Sequence, residues 1–288
     1  MKKINISDLD GRILKQETDL SCIYERNRCI YKILKPYYLH TLDEYGIDIE
    51  AKLLYNNQIT DFDELVLPTG IVYSNGKVVG YEMEKVKGTN YNQIPYDSTY
   101  TLMDYANLYY RFEKIMKKAS DNGIVITDFT NCSNILFLDE PNKIKQNNPI
   151  KILDYNDMQV GEHRTFVLSE SIAVPLTHTI KYRNPITNLY TPELNKLSLL
   201  ILYFADALCL NLANIQELSG DKEDFSITEM LNLLGLDDDI IGREISKVCK
   251  QNVPNPYYSD IFYRIAELYR REDYTESDEI LTYKLVRK

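Results

Sequence analysis

Five polar residues fall, in order, at places where a side chain can act on something beyond its own chain. Lys32 lies in the middle of Cys29-Ile30-Tyr31-Lys32-Ile33, a β-branched and aromatic run. Glu50 lies in Ile49-Glu50-Ala51-Lys52, within helical spacing. Asp128 and Asn134 share the stretch 124–136, between two apolar runs, and Asp154 ends the strand-like run Ile150-Lys151-Ile152-Leu153. An ammonium attracts anions, a carboxylate can accept a proton, and carboxylate and carboxamide oxygens suit a hard divalent cation. Singly, each residue has an ordinary structural explanation. Lys32 would be a solvated edge residue, Glu50 a surface helix residue, Asp128 a turn cap and Asp154 a strand-ending turn residue. Jointly, their order and placement point to a site.

The elements that must position them follow from periodicity. Residues 11–18, 22–26, 28–34, 66–73 and 77–83 read as strands, the third stopped by Pro36. Ser74-Asn75-Gly76 is a hairpin signal between the last two. Residues 39–56 have helical spacing, with Ile47, Ala51 and Leu54 on one face. After Val86-Lys87-Gly88 the pattern changes. Residues 100–122 predict a long helix closed by Gly123, and 135–138 and 150–153 predict short strands flanking a polar loop. From Pro192 onward everything reads as helix. The expectation is an α+β fold forming one domain. Residues 1–86 make a small antiparallel sheet with one helix, and residues 87–288 make a larger helical part, with a hinge near 84–88.

Composition narrows the class. The chain has 288 residues, 44% of them apolar, enough for a sizeable core. Its net charge is −10 and its Lys and Arg are scattered among acids, which disfavours a nucleic-acid partner. Five cysteines at wide spacing, without a C-x-x-C pair, indicate neither a disulfide framework nor a zinc site. No signal peptide is expected, because the start lacks an apolar core and turns acidic by Asp8. The most apolar run, residues 197–210, is shorter than a membrane span and carries Asp206, so it is expected to be a buried helix. A cytoplasmic location is the corresponding expectation.

Over residues 11–210 the sequence resembles the protein-kinase-like superfamily, as a divergent bacterial- or phage-type serine/threonine member. The family's strand lysine before a helix glutamate is matched by Lys32 and Glu50. Its catalytic loop H-R-D-x-x-x-x-N is matched by Ile126-Thr127-Asp128 with Asn134, and its D-F-G by Asp154-Tyr155-Asn156. Met83-Glu84-Lys85-Val86-Lys87-Gly88 looks like the hinge against which adenine docks, and residues 194–199 like the start of the buried anchor helix. The resemblance implies a bilobal fold with ATP and Mg²⁺ held between the lobes. Lys32 would reach phosphates with Glu50 fixing its direction, and Met83, Glu84 and Val86 would face the base. Asp128 would be the catalytic carboxylate, and Asn134 and Asp154 would hold the metal.

The departures are specific. The turn Lys15-Gln16-Glu17-Thr18-Asp19-Leu20-Ser21 has no glycine and places Glu17 and Asp19 near the expected phosphates. Ile126 and Thr127 replace the loop histidine and arginine. Asn134 lies six residues after Asp128 rather than five, leaving Asn131 as a competing metal ligand. Asn156 replaces a glycine, Asn195 replaces the aspartate that opens the anchor helix, and Tyr190-Thr191-Pro192-Glu193 stands where Ala-Pro-Glu is usual. Three functions compete. The first is a kinase acting on a protein hydroxyl. The second is a pseudokinase that binds a regulatory partner, favoured by the glycine-free turn. The third is a small-molecule kinase, disfavoured because Thr130 stands where a histidine is usual.

Overall fold

A computed structural model of the protein describes residues 1–94, 100–129, 132–138, 148–165, 186–208, 236, 242–243, 258–273 and 283–288. Six strands near the N-terminus form one sheet. They are β1 (Lys2–Asn5), β2 (Ile13–Glu17), β3 (Ser21–Arg26), β4 (Cys29–Leu34), β5 (Pro68–Ser74) and β6 (Lys77–Glu84). Their spatial order is β1-β5-β6-β4-β3-β2. All neighbours are antiparallel except β1 and β5, which pair in parallel. The expected purely antiparallel sheet is therefore corrected to a mixed one. A four-residue strand that pairs with a partner more than sixty positions away carries too little pattern to be read locally.

The β5–β6 turn places Asn75 (φ 49°) and Gly76 (φ 77°) in the left-handed region that a two-residue hairpin requires. At Gly80 the absence of a side chain is what lets the sheet close around Lys32. A Cβ there would lie 2.2 Å from the Lys32 carbonyl oxygen.

The single helix expected over 39–56 is two, α1 (Pro36–Glu44) and α2 (Ile49–Leu54). Gly46, at φ 66°, ends the first. The Asp48 carboxylate then accepts the Ala51 amide and starts the second. The break leaves α2 free to take its own rotational setting, which decides what faces the site.

Beyond the sheet come β7 (Thr89–Asn90), α3 (Leu102–Asp121), β8 (Ile124–Val125), β9 (Ile135–Phe137), β10 (Ile150–Ile152) and β11 (Gln159–Val160). The helices α4 (Glu193–Leu208) and α5 (Ser259–Leu268) follow. A capping box between Thr101 and Asp104 opens α3. Its buried face, including Leu108, Tyr109, Phe112 and Met116, packs against Leu200, Tyr203 and Phe204 of α4 and Phe262 of α5. The rings of Tyr203 and Phe262 stack with centroids 4.1 Å apart. Residues 209–210 of the expected apolar helix lie outside the described residues, as do Cys209 and Cys249. Among the described residues no helix is long and apolar enough to cross a membrane.

The expectation of helix throughout the C-terminal part is also corrected. β12 (Tyr269–Asp273) and β13 (Tyr283–Arg287) form an antiparallel pair. The run Tyr269-Arg270-Arg271-Glu272-Asp273 is too charged to show the apolar alternation of a half-buried strand.

Candidate functional site

A cavity of about 550 Å³ lies between the sheet and the segments that follow α3. Seven of the sequence-predicted residues line it. Lys32 comes from β4, Met83 and Glu84 from the end of β6, and Val86 from just beyond. Asp128, Asn134 and Asp154 come from the opposite wall. The residues span more than a hundred positions of sequence, so their convergence is a product of the tertiary fold.

Lys32 is buried, and its Nζ lies 2.8 Å from Asp154 Oδ1 and 3.4 Å from Asp157 Oδ2. Burial opposes the charge on Lys32, but the carboxylates of Asp154 and Asp157 outweigh it and hold its pKa well above the ordinary value. Asp154 takes a left-handed backbone (φ 65°, ψ 50°). The residue in that conformation is the aspartate itself and not Asn156, which stands where the resemblance puts a glycine. Asn156 is buried and accepts a 2.6 Å hydrogen bond from the Tyr81 hydroxyl.

The wall that carries Asp128 is pinned from below. Asn195, at the start of α4, accepts the Ile126 amide at 2.8 Å and donates to the Ile124 carbonyl at 3.1 Å. An asparagine can serve both partners because its carboxamide both accepts and donates. The Thr127 hydroxyl donates to the Asp157 carbonyl at 2.8 Å, tying the Asp128 stretch to the segment after Asp154. Asn134 Nδ2 donates to Asp128 Oδ2 at 2.9 Å, and the Leu153 amide donates to the Asn134 carbonyl at 2.8 Å. Asn131 and Thr130 lie outside the described residues.

Glu50 is corrected. It is not beside Lys32 and does not line the cavity. Its carboxylate accepts the Tyr73 hydroxyl at 2.8 Å, and burial together with that bond pushes the Tyr73 pKa up to about 12. Residues two apart on a helix point about 200° from one another. In α2 the inward place is taken by Lys52, which is 1% exposed. Its Nζ donates to the carbonyls of Asn156 at 2.5 Å and Arg164 at 3.2 Å. Burial pulls its pKa down to about 7; Asp157 opposes the shift and Lys32 adds to it.

Two residues that the sequence reading passed over thus belong to the site: Asp157 lines the cavity, and Lys52 lies behind it. Asp157 is buried and accepts the Tyr38 hydroxyl at 3.1 Å and the Asn156 side-chain amide. Burial pushes its carboxyl up, while Lys32, Lys52 and Tyr38 pull it back. The available signal was its position three residues after Asp154 on a short apolar strand end.

The turn over the mouth of the cavity closes without glycine. The Thr18 hydroxyl oxygen accepts the Ser21 amide at 3.0 Å and the Leu20 amide at 3.3 Å. Glu17 turns away to Lys35, 2.8 Å distant, while Asp19 remains on the cavity rim. The expected opposition of two carboxylates to an anion is reduced to one.

Chemically, the wall offers one ammonium, a carboxylate with a carboxamide beside it, and two further carboxylates, Asp154 and Asp157, facing that ammonium. Among the described residues no three His, Cys, Asp or Glu side chains gather into a ready metal cage. No protein-family model matches this sequence, and no curated protein matches it.

Proposed function

We propose that this chain is an ATP- and Mg²⁺-dependent phosphotransferase with a bilobal, protein-kinase-like fold, acting on a hydroxyl of a protein. The carrying observation is the convergence of Lys32, Asp128, Asn134 and Asp154 on one cavity that also exposes Met83, Glu84 and Val86. The cavity volume is of the size that takes a nucleotide. The donor set fits Mg²⁺, which is held through one or two carboxylates together with phosphate oxygens and needs no all-protein cage. Asp154 and Asn134 would hold the metal, and when bound it would neutralise phosphate charge. Lys32 would contribute a fixed positive charge to the phosphates. Asp128 would orient the acceptor hydroxyl and take its proton, with the Asn134 amide keeping its carboxylate in place. The segment 83–86 would supply the surface for the base.

The test is incubation with γ-labelled ATP and Mg²⁺, using the chain itself and casein as acceptors. Transfer is expected from the wild type. Asp154→Ala should abolish it, and Asp128→Asn should lower kcat far more than it alters nucleotide affinity. Transfer unchanged in Asp128→Asn would sink the assignment of that carboxylate. A second function, nucleotide-binding pseudokinase, is favoured by one feature, the glycine-free turn with Asp19 on the rim. Calorimetry separates the two: Mg²⁺-strengthened ATP binding without transfer to any acceptor would support the pseudokinase.

A further inference from the structure

We propose that Asp157 is the positioning carboxylate of Lys32, in the place where Glu50 was expected, and that Lys52 and Tyr38 hold it there. The proposal rests on the phosphotransferase function above. Lys32 has two carboxylate neighbours of different kinds. Asp154 is the nearer, but its side chain is 30% exposed on the cavity and is the one that would donate to a metal. A divalent cation there would draw on the same oxygens that Lys32 uses, so Asp154 cannot give Lys32 a direction that is independent of the ligand. Asp157 can. Its Oδ1 accepts the Tyr38 hydroxyl and the Asn156 amide, and its Oδ2 faces Lys32. Tyr38 is among the largest fully buried side chains of the protein, so the hydroxyl is itself fixed by packing.

The role of α2 changes with this. A helix glutamate would reach the strand lysine directly. Here α2 supplies a cation, and that cation grips the backbone of the segment bearing Asp157 at the Asn156 and Arg164 carbonyls. The Tyr155 hydroxyl returns a 3.1 Å bond to the Lys52 carbonyl, so helix and segment hold each other through both the side chain and the backbone of Lys52. The Thr127 bond to the Asp157 carbonyl extends the same tie to the stretch bearing Asp128. Lys32, the metal-side aspartate and the acceptor-side aspartate are thereby referred to one buried segment.

The experiment uses the full chain. Mg²⁺-dependent conversion of ATP to ADP is followed for the wild type, Asp157→Asn, Lys32→Met, the double variant and Glu50→Gln, with a Mg²⁺ titration for each. Asp157→Asn should lower kcat about tenfold to a hundredfold, the range that misplacing a charged group costs. Its nucleotide KM should change less than about threefold and its Mg²⁺ dependence not at all. The double variant should be no slower than Lys32→Met, because both changes remove one interaction. Glu50→Gln should stay within about twofold of wild type.

Wild-type kcat in Asp157→Asn, a loss that multiplies with that of Lys32→Met, or an equal loss in Glu50→Gln would each overturn the proposal. So would a shifted Mg²⁺ dependence, which would make Asp157 a metal ligand. If Asp157→Asn does not fold, Tyr38→Phe decides, since it loosens Asp157 and keeps its charge. A several-fold fall in kcat supports the positioning role, and an unchanged kcat overturns it. A wild type that consumes no ATP with any acceptor fails at the earlier step and overturns the phosphotransferase function itself.

Discussion

Behind the cavity and inside the helical core, ionisable groups are held away from water by different means. Along the cavity wall and just behind it the balance is ionic. Lys32 faces Asp154 and Asp157, and Lys52 lies in the same layer against two carbonyls. In the helical core Asp206 of α4 keeps some exposure, and among the described residues its carboxylate is met by neutral donors, the hydroxyls of Tyr91 and Tyr109. Burial pushes the Asp206 pKa from 3.8 up to about 6, with the two hydroxyls pulling it back. The same burial that pulls Lys52 down to about 7 therefore moves a carboxyl in the opposite direction. The two regions should respond to pH with opposite sign, and substitutions can expose the difference.

The largest effect is expected at Lys52. In the unfolded chain its amine titrates near its ordinary value of 10.5, and in the folded protein near 7. Between these values the unfolded chain carries the proton and the folded protein does not, so stability rises as pH rises from about 7 to about 10. It is lost as pH falls through 7. The difference is worth roughly 5 kcal/mol across that window. Lys52→Met should remove this slope, so the variant compares better with wild type at pH 7 than at pH 9.5 in urea unfolding. Parallel pH profiles for the two proteins would mean that Lys52 stays charged, and the ionic description would then cover all of the region behind the cavity.

Asp206 should give the smaller, opposite slope. Its folded pKa is raised, so its contribution is fully present below about pH 4 and is lost as pH rises through about 6. Allowing for its residual exposure, roughly 2 kcal/mol is at stake. Asp206→Asn keeps an acceptor for the two hydroxyls and removes the charge. It should match wild type near pH 4 and exceed it in stability at pH 7. A variant that loses more stability at pH 7 than at pH 4 would show that Asp206 is held by charge after all.

The comparison also explains what the sequence could disclose. The convergence of Lys32, Asp128, Asn134 and Asp154 on one cavity was legible because each stands in or beside an apolar run whose pattern is local, and the hairpin at Asn75-Gly76 was legible because its backbone demands those residues. The exchange of Glu50 for Lys52 and Asp157 was not. A helix of six residues has no rotational phase that spacing can define, and Gly46 had already cut it from the longer pattern that seemed to set one. Asp157 was hidden differently. A carboxylate three residues beyond Asp154 reads as a turn residue until burial against Tyr38 is known. The pairing of Asp206 with two tyrosines was equally silent, because Tyr91, Tyr109 and Asp206 are separated in sequence and the chain is rich in tyrosine throughout.

The smallest effect sharpens the helical side of the comparison. Tyr109→Phe removes one hydroxyl and leaves the ring that packs edge-on against Phe112, Tyr203 and Phe262. A hydrogen bond to a charged acceptor is worth more than one to a neutral group. Below about pH 5 Asp206 is protonated in the folded protein, and Tyr91 still serves it, so the variant should lose only about 0.5 kcal/mol. Above pH 7 the same loss falls on an ionised carboxylate and should grow to about 1.5 kcal/mol. With one donor fewer, the Asp206 pKa should also move further up from about 6. Unfolding of wild type and Tyr109→Phe at pH 5 and pH 7.5 measures both. A loss that does not change with pH would assign Tyr109 to packing alone and leave Tyr91 as the hydroxyl that answers the Asp206 charge.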